Sequence, residues 1–507
     1  MKSTPDLPPT IEPGTGEWQD ERAREQRARP AVTEADADLL RRLRQALDCR
    51  YLHTLLTRQW PYLRPWLDRG FRLEVERLFP RGAAGFVIEY ALVVNEDAGY
   101  AQSNGVAQPP PSSVLIELHA EGTAEPFEAL VESLRKRRRG QLSREAGTAL
   151  PLAWLDELGG CARVPGLDRR LEGLVLHHQP ARIESLLDAL CRGSEAQPAC
   201  AAGAGWNSTL LAHRLGKRAV LQLRPQATEP VPGSGLIAKL YPAASSRAMR
   251  MATCLRWLTG AAAQAAVELQ VPGVSGVDEA LQLLLMEAVP GVSLDRLPSD
   301  RLRAGMWQAG RALHALQRID VLANGGHETD ARRRAWLRRT HGAADELVVL
   351  SDWVALHVAL DTPIAASLAL ALQSLREVCD ALPDPTHRTL CHRDFHEKQV
   401  LCATDRCWMI DFDTLCIGDP ALDVGNFIAH LELMAIERGI ESSEWLAAFE
   451  SGYGERIVDG SVFGRRVAFY ADATRLRVAA IHAFSTRRVA AARALLDRAL
   501  TSQYRSG

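Results

Sequence analysis

Lysine is the scarce residue of this sequence. Only Lys2, Lys136, Lys217, Lys239 and Lys398 occur among 60 basic residues in all, so arginine carries nearly all the positive charge and each lysine asks for a reason. No sign of charge prevails: 60 Lys and Arg against 62 Asp and Glu leave a formal charge of -2, which argues against a whole-chain nucleic-acid role. The one basic run, Arg135-Lys136-Arg137-Arg138-Arg139, is local and reads as a solvated helix end in preference to a patch for an anionic partner. No apolar run reaches the roughly eighteen residues needed to span a bilayer. The opening MKSTPDLPPTIEPGTGEW contains no apolar signal region. Cysteines in paired spacing are missing too. The ten present are scattered, with Cys402 and Cys407 nearest, which excludes a disulfide framework and a zinc motif and leaves reduced, packed thiols. These absences imply a cytoplasmic protein that binds neither membrane nor nucleic acid.

What the chain does have is length for several domains and ample core, with 47% hydrophobic against 24% charged residues, the balance of a globular protein. Residues 1–35 are rich in Pro, Glu, Arg and Asp without periodicity and read as a disordered tail. Residues 36–195 read as a first α+β domain. Leu39, Leu40, Leu43 and Leu47 recur at helical intervals. Strand-like runs follow at Phe71–Val75, Gly85–Val94 and Ser113–Leu118, and helices are expected at Glu125–Arg138 and Pro180–Leu190. Residues 196–290 open a second set of strands at Thr209–Leu215, Arg218–Leu223 and Leu236–Tyr241, and a helix is expected at Arg247–Leu258. The runs Phe86–Leu92 and Val114–Leu118, divided by a long loop, parallel Thr209–Leu215 and Leu236–Tyr241, with Glu117 falling where Lys239 falls. A degenerate duplicate and two unrelated sheets both stay open. A strand-like run at Leu281–Met286 then reaches Glu287 and the breaker pair Pro290-Gly291, which reads as a hinge. Helices dominate residues 291–507, at Leu302–Leu316, Ala331–Arg339, Leu347–Leu360, Ile364–Leu382, Asn426–Glu437, Ser443–Ser451 and Val462–Leu500.

One stretch, Leu390 to Phe427, interrupts that helical half. It carries His392-Arg393-Asp394, then Gln399, the apolar Trp408-Met409-Ile410, and Asp411-Phe412-Asp413. Phosphoryl transfer needs one carboxylate to orient or deprotonate the attacking hydroxyl. It needs a further oxygen ligand and a second carboxylate to hold magnesium on the phosphates. Asp394, Gln399 and Asp411 supply those parts in the order and spacing of a kinase catalytic loop followed by a metal-binding strand end. Solvated loop carboxylates around a buried strand are the plain alternative, and three parts in register outweigh it. Lys239, inside the apolar strand Leu236–Tyr241, is a second signal, because a compact ammonium suits nucleotide phosphates. The alternative there is an edge-strand lysine extending into water. Gly203-Ala204-Gly205-Trp206-Asn207-Ser208 is a weaker candidate for a phosphate-covering loop, through Gly205, Asn207 and Ser208.

These motifs resemble the aminoglycoside phosphotransferase and choline kinase group of small-molecule kinases. Its His-Gly-Asp-x-His-x-x-Asn, Ile-Asp-Trp/Phe-Asp/Glu and Gly-Asp-Pro-x-x-Asp are matched by His392 to Gln399, Ile410 to Asp413 and Gly418 to Asp423. Gln399 stands where Asn is usual, a variant shared with the maltokinase branch. The resemblance spans roughly residues 203–500, with its specific part in Cys391–Phe427. It implies an α+β, bilobal protein-kinase-like fold, a small β-rich lobe and a large helical one, preceded by an additional α+β domain. It also implies transfer of the γ-phosphate of ATP (or GTP), with magnesium, to a hydroxyl of a small molecule: a sugar first, then an aminoglycoside or another alcohol. In that scheme Asp394 is the catalytic base, Gln399 and Asp411 hold magnesium, Lys239 meets the phosphates and Glu287 helps to bind the nucleotide. His392, Asp419 and Asp423 support the loop.

One departure matters. The glutamate that usually pairs with the strand lysine is missing; Met251 stands near its place, and no acid occurs between Lys239 and Glu268. A catalytically inert pseudokinase acting as a nucleotide-binding scaffold is therefore the competing reading. The late basic and aromatic residues Arg475, Arg477, His482, Phe484, Arg487 and Arg488 read as an amphipathic surface helix in preference to a wall of the acceptor pocket.

Overall fold

The computed structural model describes residues 37–94, 111–137, 150–191, 205–226, 235–320, 339–454, 457 and 460–505. The tail expected at 1–35 and nearly all of the helix expected at Ala331–Arg339 lie outside them.

Helices α1 (Ala37–Leu47) and α2 (Cys49–Gln59) pack on a sheet of β1 (Phe71–Pro80), β2 (Gly85–Val94), β3 (Ser113–His119), β4 (Leu152–Leu155) and β5 (Gly160–Arg163). Its order is β1-β2-β3-β5-β4. The second sheet comprises β6 (Trp206–Arg214), β7 (Arg218–Pro225), β8 (Leu236–Leu240), β9 (Val274–Asp278) and β10 (Leu283–Glu287), in the same order, β6-β7-β8-β10-β9. Every pairing in both is antiparallel. A helix follows the third strand of each, α3 (Glu125–Arg137) in the first; in the second, after α4 (Ala181–Cys191) between the sheets, it is α5 (Arg247–Gln264). The strand-by-strand match is offset from the sequence expectation: β2 corresponds to β7, not to β6. Alternation marks a strand without telling which arm of a hairpin it forms. The four-residue β4 and β5 are too short to leave a periodic signal.

The two third strands share a register. Glu117 lies opposite Val87 and Cys161, the third residue of β2 and the second of β5. Lys239 lies opposite Val220 and Leu284, the third residue of β7 and the second of β10. Each points away from the covered face, since side chains alternate along a strand. In the first sheet Val114, Ile116 and Leu118 enter the core with α1 and α2. In the second, Leu236, Ala238 and Leu240 pack against Leu171, Leu174, Ile183 and Leu187. Helix α4, expected to close the first domain before 195, thus buries its apolar side in the second sheet's core.

Beyond the hinge come α6 (Ser299–Gln317), α7 (Ala343–Ala359), α8 (Ala365–Asp380), α9 (Ala421–Arg438), α10 (Ser443–Tyr453), α11 (Val462–His482) and α12 (Val489–Arg505). Short strands β11 (Val292–Ser293), β12 (Thr340–His341), β13 (Thr389–Cys391), β14 (Val400–Cys402), β15 (Cys407–Met409) and β16 (Cys416–Gly418) form sheets β11-β14-β15 and β12-β16-β13, which carry most of the stretch from Leu390 to Gly418. The hinge lies close on that stretch: a Cβ at Gly291 (φ +147°) would meet the Cys402 backbone at 3.0 Å.

The single helix expected at Val462–Leu500 is two. Between them Thr486 leaves the helical ladder, donating N–H to Val75 O at 2.8 Å and accepting Val75 N–H on Oγ1 at 3.0 Å. The chain breaks there to dock on β1. Nor is α11 a surface helix. Arg475 is enclosed by Glu432 and Asp472, and Phe484 just beyond stacks on His357 at 4.6 Å. Among the described residues no helix is long and apolar enough to cross a membrane.

Candidate active site

Because β8 buries its even-numbered side chains, Lys239 and the following Tyr241 face the large lobe. Lys239 Nζ donates to Asp411 Oδ1 at 2.7 Å and to Asp413 Oδ1 at 2.8 Å. Tyr241 OH donates to Asp413 Oδ1 at 2.8 Å. Arg218, on the same face of β7 as Val220, donates Nη1 to Asp411 Oδ1 and Asp413 Oδ2, both at 2.9 Å. Burial alone would drive the Lys239 proton off; the two carboxylates outweigh it and hold the ammonium above its ordinary range. Burial likewise disfavours ionised Asp411, yet Lys239 and Arg218 keep its carboxyl well below the usual carboxylate range. Two cations on two carboxylates close a charge-neutral knot between the lobes. Helix α5 carries no acid, and Lys239 takes its partners from the large lobe.

The loop beneath is braced from both sides. His392 is buried and donates Nε2–H to Ile410 O at 2.8 Å, while burial lowers its proton affinity and keeps the ring neutral. Asp423 accepts the N–H groups of His392 and Arg393, both at 2.7 Å. Burial pushes its carboxyl up to about 7, and those two N–H groups pull against that rise. Asp419 accepts the Ala421 N–H at 3.0 Å and ion-pairs with Arg466 at 2.9 Å. Held this way, Arg393 and Asp411 take up left-handed backbone, φ +67° and +66°, a strain that surrounding structure must over-determine.

Asp394 follows Arg393 with its side chain 41% exposed, open to a substrate, and its Oδ1 lies 4.0 Å from His396 Nε2. The Gln399 amide meets the same His396 nitrogen at 3.1 Å. Gln399 O accepts the Ile410 N–H at 3.0 Å, which sets Gln399 beside Asp411. Asp394 thus neighbours His396, which meets Gln399; Gln399 is tied through the Ile410 backbone to the residue before Asp411, and Asp411 meets Lys239 across the lobes.

Four expected residues are not brought to it. Gly205, Asn207 and Ser208 lie at the far end of the β6–β7 hairpin, where Ser208 Oγ meets His177 Nδ1 at 3.0 Å and Asn207 Oδ1 accepts from Gln226 at 3.2 Å. The turn next to the cluster is Leu215-Gly216-Lys217 instead. Glycine and small polar residues mark any strand entry, so composition alone selected the wrong end. Glu287 lies three residues along β10 from Leu284, and its Oε1 accepts the Gly273 N–H at 2.9 Å. Arg218 and Tyr241 were missed. The signal was available in the alternation that places both on the Lys239 face.

Beside Asp394, the buried Glu397 carboxylate lies 3.5 Å from His396 Nδ1 and 3.6 Å from His430 Nδ1. Against the pull of burial, His396 and His430 hold it at about 2. The imidazoles stack 4.7 Å apart at 19°. Stacked rings are poorly placed to aim both in-plane lone pairs at one ion, so this group reads as a buried carboxylate packed against two imidazoles.

Residues 226–467 match the model of the phosphotransferase enzyme family. That segment, a little under half of the chain, is similar to this family. The chain is accordingly a small-molecule phosphotransferase. No curated protein matches it. Among solved structures, spectinomycin phosphotransferase in complex with ADP and spectinomycin is similar at 12% identity, with 64% of this chain and 98% of that one covered and a TM-score of 0.44. A thermostable mutant of aminoglycoside phosphotransferase APH(4)-Ia gives 19%, 59%, 94% and 0.40. Macrolide 2'-phosphotransferase from Brachybacterium faecium gives 17%, 62%, 97% and 0.38. The first domain precedes the matched segment of this phosphotransferase.

Proposed function

We propose that this phosphotransferase moves the γ-phosphate of a purine nucleoside triphosphate, ATP or GTP, to a hydroxyl of a small molecule, with magnesium. The observation that carries the reading is the meeting of Lys239 with Asp411 across the lobes. That contact sets an ammonium of the kind that suits phosphates against a carboxylate close in sequence to Gln399 and to the exposed Asp394. Oxygen donors from Asp411 and Gln399, with Asp413 adjacent, are the hard ligands magnesium takes. Bound there, the metal would neutralise charge on the phosphates. Asp394 orients the acceptor hydroxyl and takes its proton. Lys239 holds the phosphates and Gln399 positions the metal side of the loop. His392 and Asp423 keep the backbone of Asp394 and Asp411 from relaxing.

A sugar is the proposed acceptor, with an aminoglycoside or another alcohol next, on the strength of Gln399. The inert scaffold is favoured by one observation, that Arg218 and Lys239 already neutralise both carboxylates. Transfer of labelled γ-phosphate from ATP and GTP to a panel of sugars, aminoglycosides and amino alcohols, beside Asp394→Ala, separates the two. Transfer abolished by the substitution supports the enzyme. Tight nucleotide binding with no transfer to any acceptor supports the scaffold.

A further inference from the structure

The loop after β5 leaves the first sheet and grips the turn between β6 and β7. Asp168, only 4% exposed, accepts the Gly216 N–H on Oδ2 at 2.5 Å and the Arg170 N–H on Oδ1 at 2.9 Å. The same Oδ2 lies 3.3 Å from His213 Nε2, and Gly166 donates its N–H to His213 Nδ1 at 3.1 Å. Since Nδ1 accepts, Nε2 carries the proton and donates to Asp168. Arg170 O accepts the Ala243 N–H at 3.1 Å, just past Tyr241. Gly216 has φ +68°, and a Cβ there would meet Arg81 Nη2 at 2.9 Å and Arg170 Nη1 at 3.4 Å. The first domain thus encloses this turn.

The grip is continuous with Glu117, which holds in the first sheet the register position of Lys239 in the second. Glu117 ion-pairs with Arg81 and Arg163. Arg163 Nη1 donates onward to Leu167 O at 3.4 Å, the residue before Asp168. Where the second sheet offers a cation to the cleft, the first uses a carboxylate to gather two arginines against the neighbouring hairpin.

In kinases a mobile glycine-rich turn at this place covers the nucleotide phosphates. Here the turn has one glycine, its amide is committed to Asp168, and the next strand begins at Arg218, whose guanidinium reaches Asp411 and Asp413. We propose that Asp168 is a positioning residue for nucleotide binding, through which the first domain fixes the β6–β7 turn and the placement of Arg218 over the phosphate site. This rests on the nucleotide reading of that site.

The test uses the full chain, as wild type, Asp168→Ala and Asp168→Asn, the last keeping the volume and one acceptor oxygen for Gly216. Amide hydrogen exchange without nucleotide reads the grip directly. Exchange across residues 213–218 is expected to quicken about tenfold in Asp168→Ala, with β3 and α11 unchanged, and to recover in large part in Asp168→Asn. Magnesium-ADP titration is then expected to give about a tenfold weaker Kd for Asp168→Ala than for wild type. Exchange unchanged in both variants overturns the grip. Quickened exchange with an unchanged Kd overturns the positioning role. Wild type that binds no ADP removes the nucleotide reading and takes the proposal with it, whatever the exchange result. Should Asp168→Ala fail to fold, Asp168→Asn carries both measurements, with a smaller shift expected in each and no shift in either overturning the proposal.

Discussion

Arg218 and Lys239 share a single oxygen: both donate to Oδ1 of Asp411, at 2.9 and 2.7 Å. Two cations converge there from neighbouring strands, yet only one has a counterpart in the kinase pattern. A divalent metal and the Arg218 guanidinium compete for the same carboxylates. Arg218→Ala is expected to raise Mn2+ affinity in the absence of nucleotide by about tenfold, equivalent to about 1.4 kcal/mol. Electron paramagnetic resonance of free against bound Mn2+ reads this, and an unchanged or weaker affinity would place the metal elsewhere.

Among the described residues Asp394 has its nearest ion-pair partner, His396, 4.0 Å away, and it is well exposed, so its substitution should leave the fold intact. Asp394→Asn is expected to lower phosphoryl transfer by about 10²–10⁴, the usual worth of a positioned general base, while the melting temperature stays within a degree or two of wild type (a roughly neutral surface change). A large loss of stability would show that this carboxylate is structural.

Glu346, on α7, is buried and meets His341 Nε2 at 2.6 Å and Arg477 Nη1 at 3.7 Å. Burial alone would raise its carboxyl, but Arg477 and His341 bring it from 4.5 down to about 2. The unfolded chain takes up this proton first as pH falls. The stabilisation, about 3 kcal/mol at neutral pH, is therefore complete above about pH 4.5 and lost progressively toward pH 2. Urea unfolding between pH 6 and pH 2.5 should show a steeper acid loss in wild type than in Glu346→Gln, which starts less stable and changes less. Parallel profiles would refute the pairing.

Helices α6 and α10 touch through bare backbone. A Cβ on Gly310 would meet Phe449 O at 2.2 Å, and one on Gly452 would meet Trp307 O at 2.0 Å. Neither neighbour is a flexible side chain able to swing aside. Gly310→Ala and Gly452→Ala should each cost about 1–3 kcal/mol or more by overpacking. Gly439→Ala, at φ +67° with open space around its Cβ, should cost only about 1 kcal/mol for its left-handed backbone. Chemical denaturation of the three variants checks the order.

That the proposed catalytic residues lie close together could be read directly. Asp394, Gln399 and Asp411 fall within one short stretch, and a turn followed by a hairpin leaves their side chains little freedom to diverge. The brace from His392 to the backbone beside Asp411 was legible for the same reason. Asp423 was legible only in kind: a carboxylate accepting N–H groups, which prove to belong to the catalytic loop and not to its own helix.

What the chain alone determined was which of the proposed site residues are neighbours in sequence, together with the alternation that buries Leu236, Ala238 and Leu240 and so turns Lys239 toward the cleft. Tertiary structure decided the rest: that Arg218 and Tyr241 join the lysine on two carboxylates of the other lobe, that a single late helix breaks at Thr486 to meet β1, and that Asp168 reaches Gly216. The reason is physical. Local spacing sets which way a side chain faces, but which strands pair, in what register, and which loop lands on which turn are settled by cooperative burial among segments far apart in sequence, 48 residues for Asp168 and Gly216 and 411 for Val75 and Thr486.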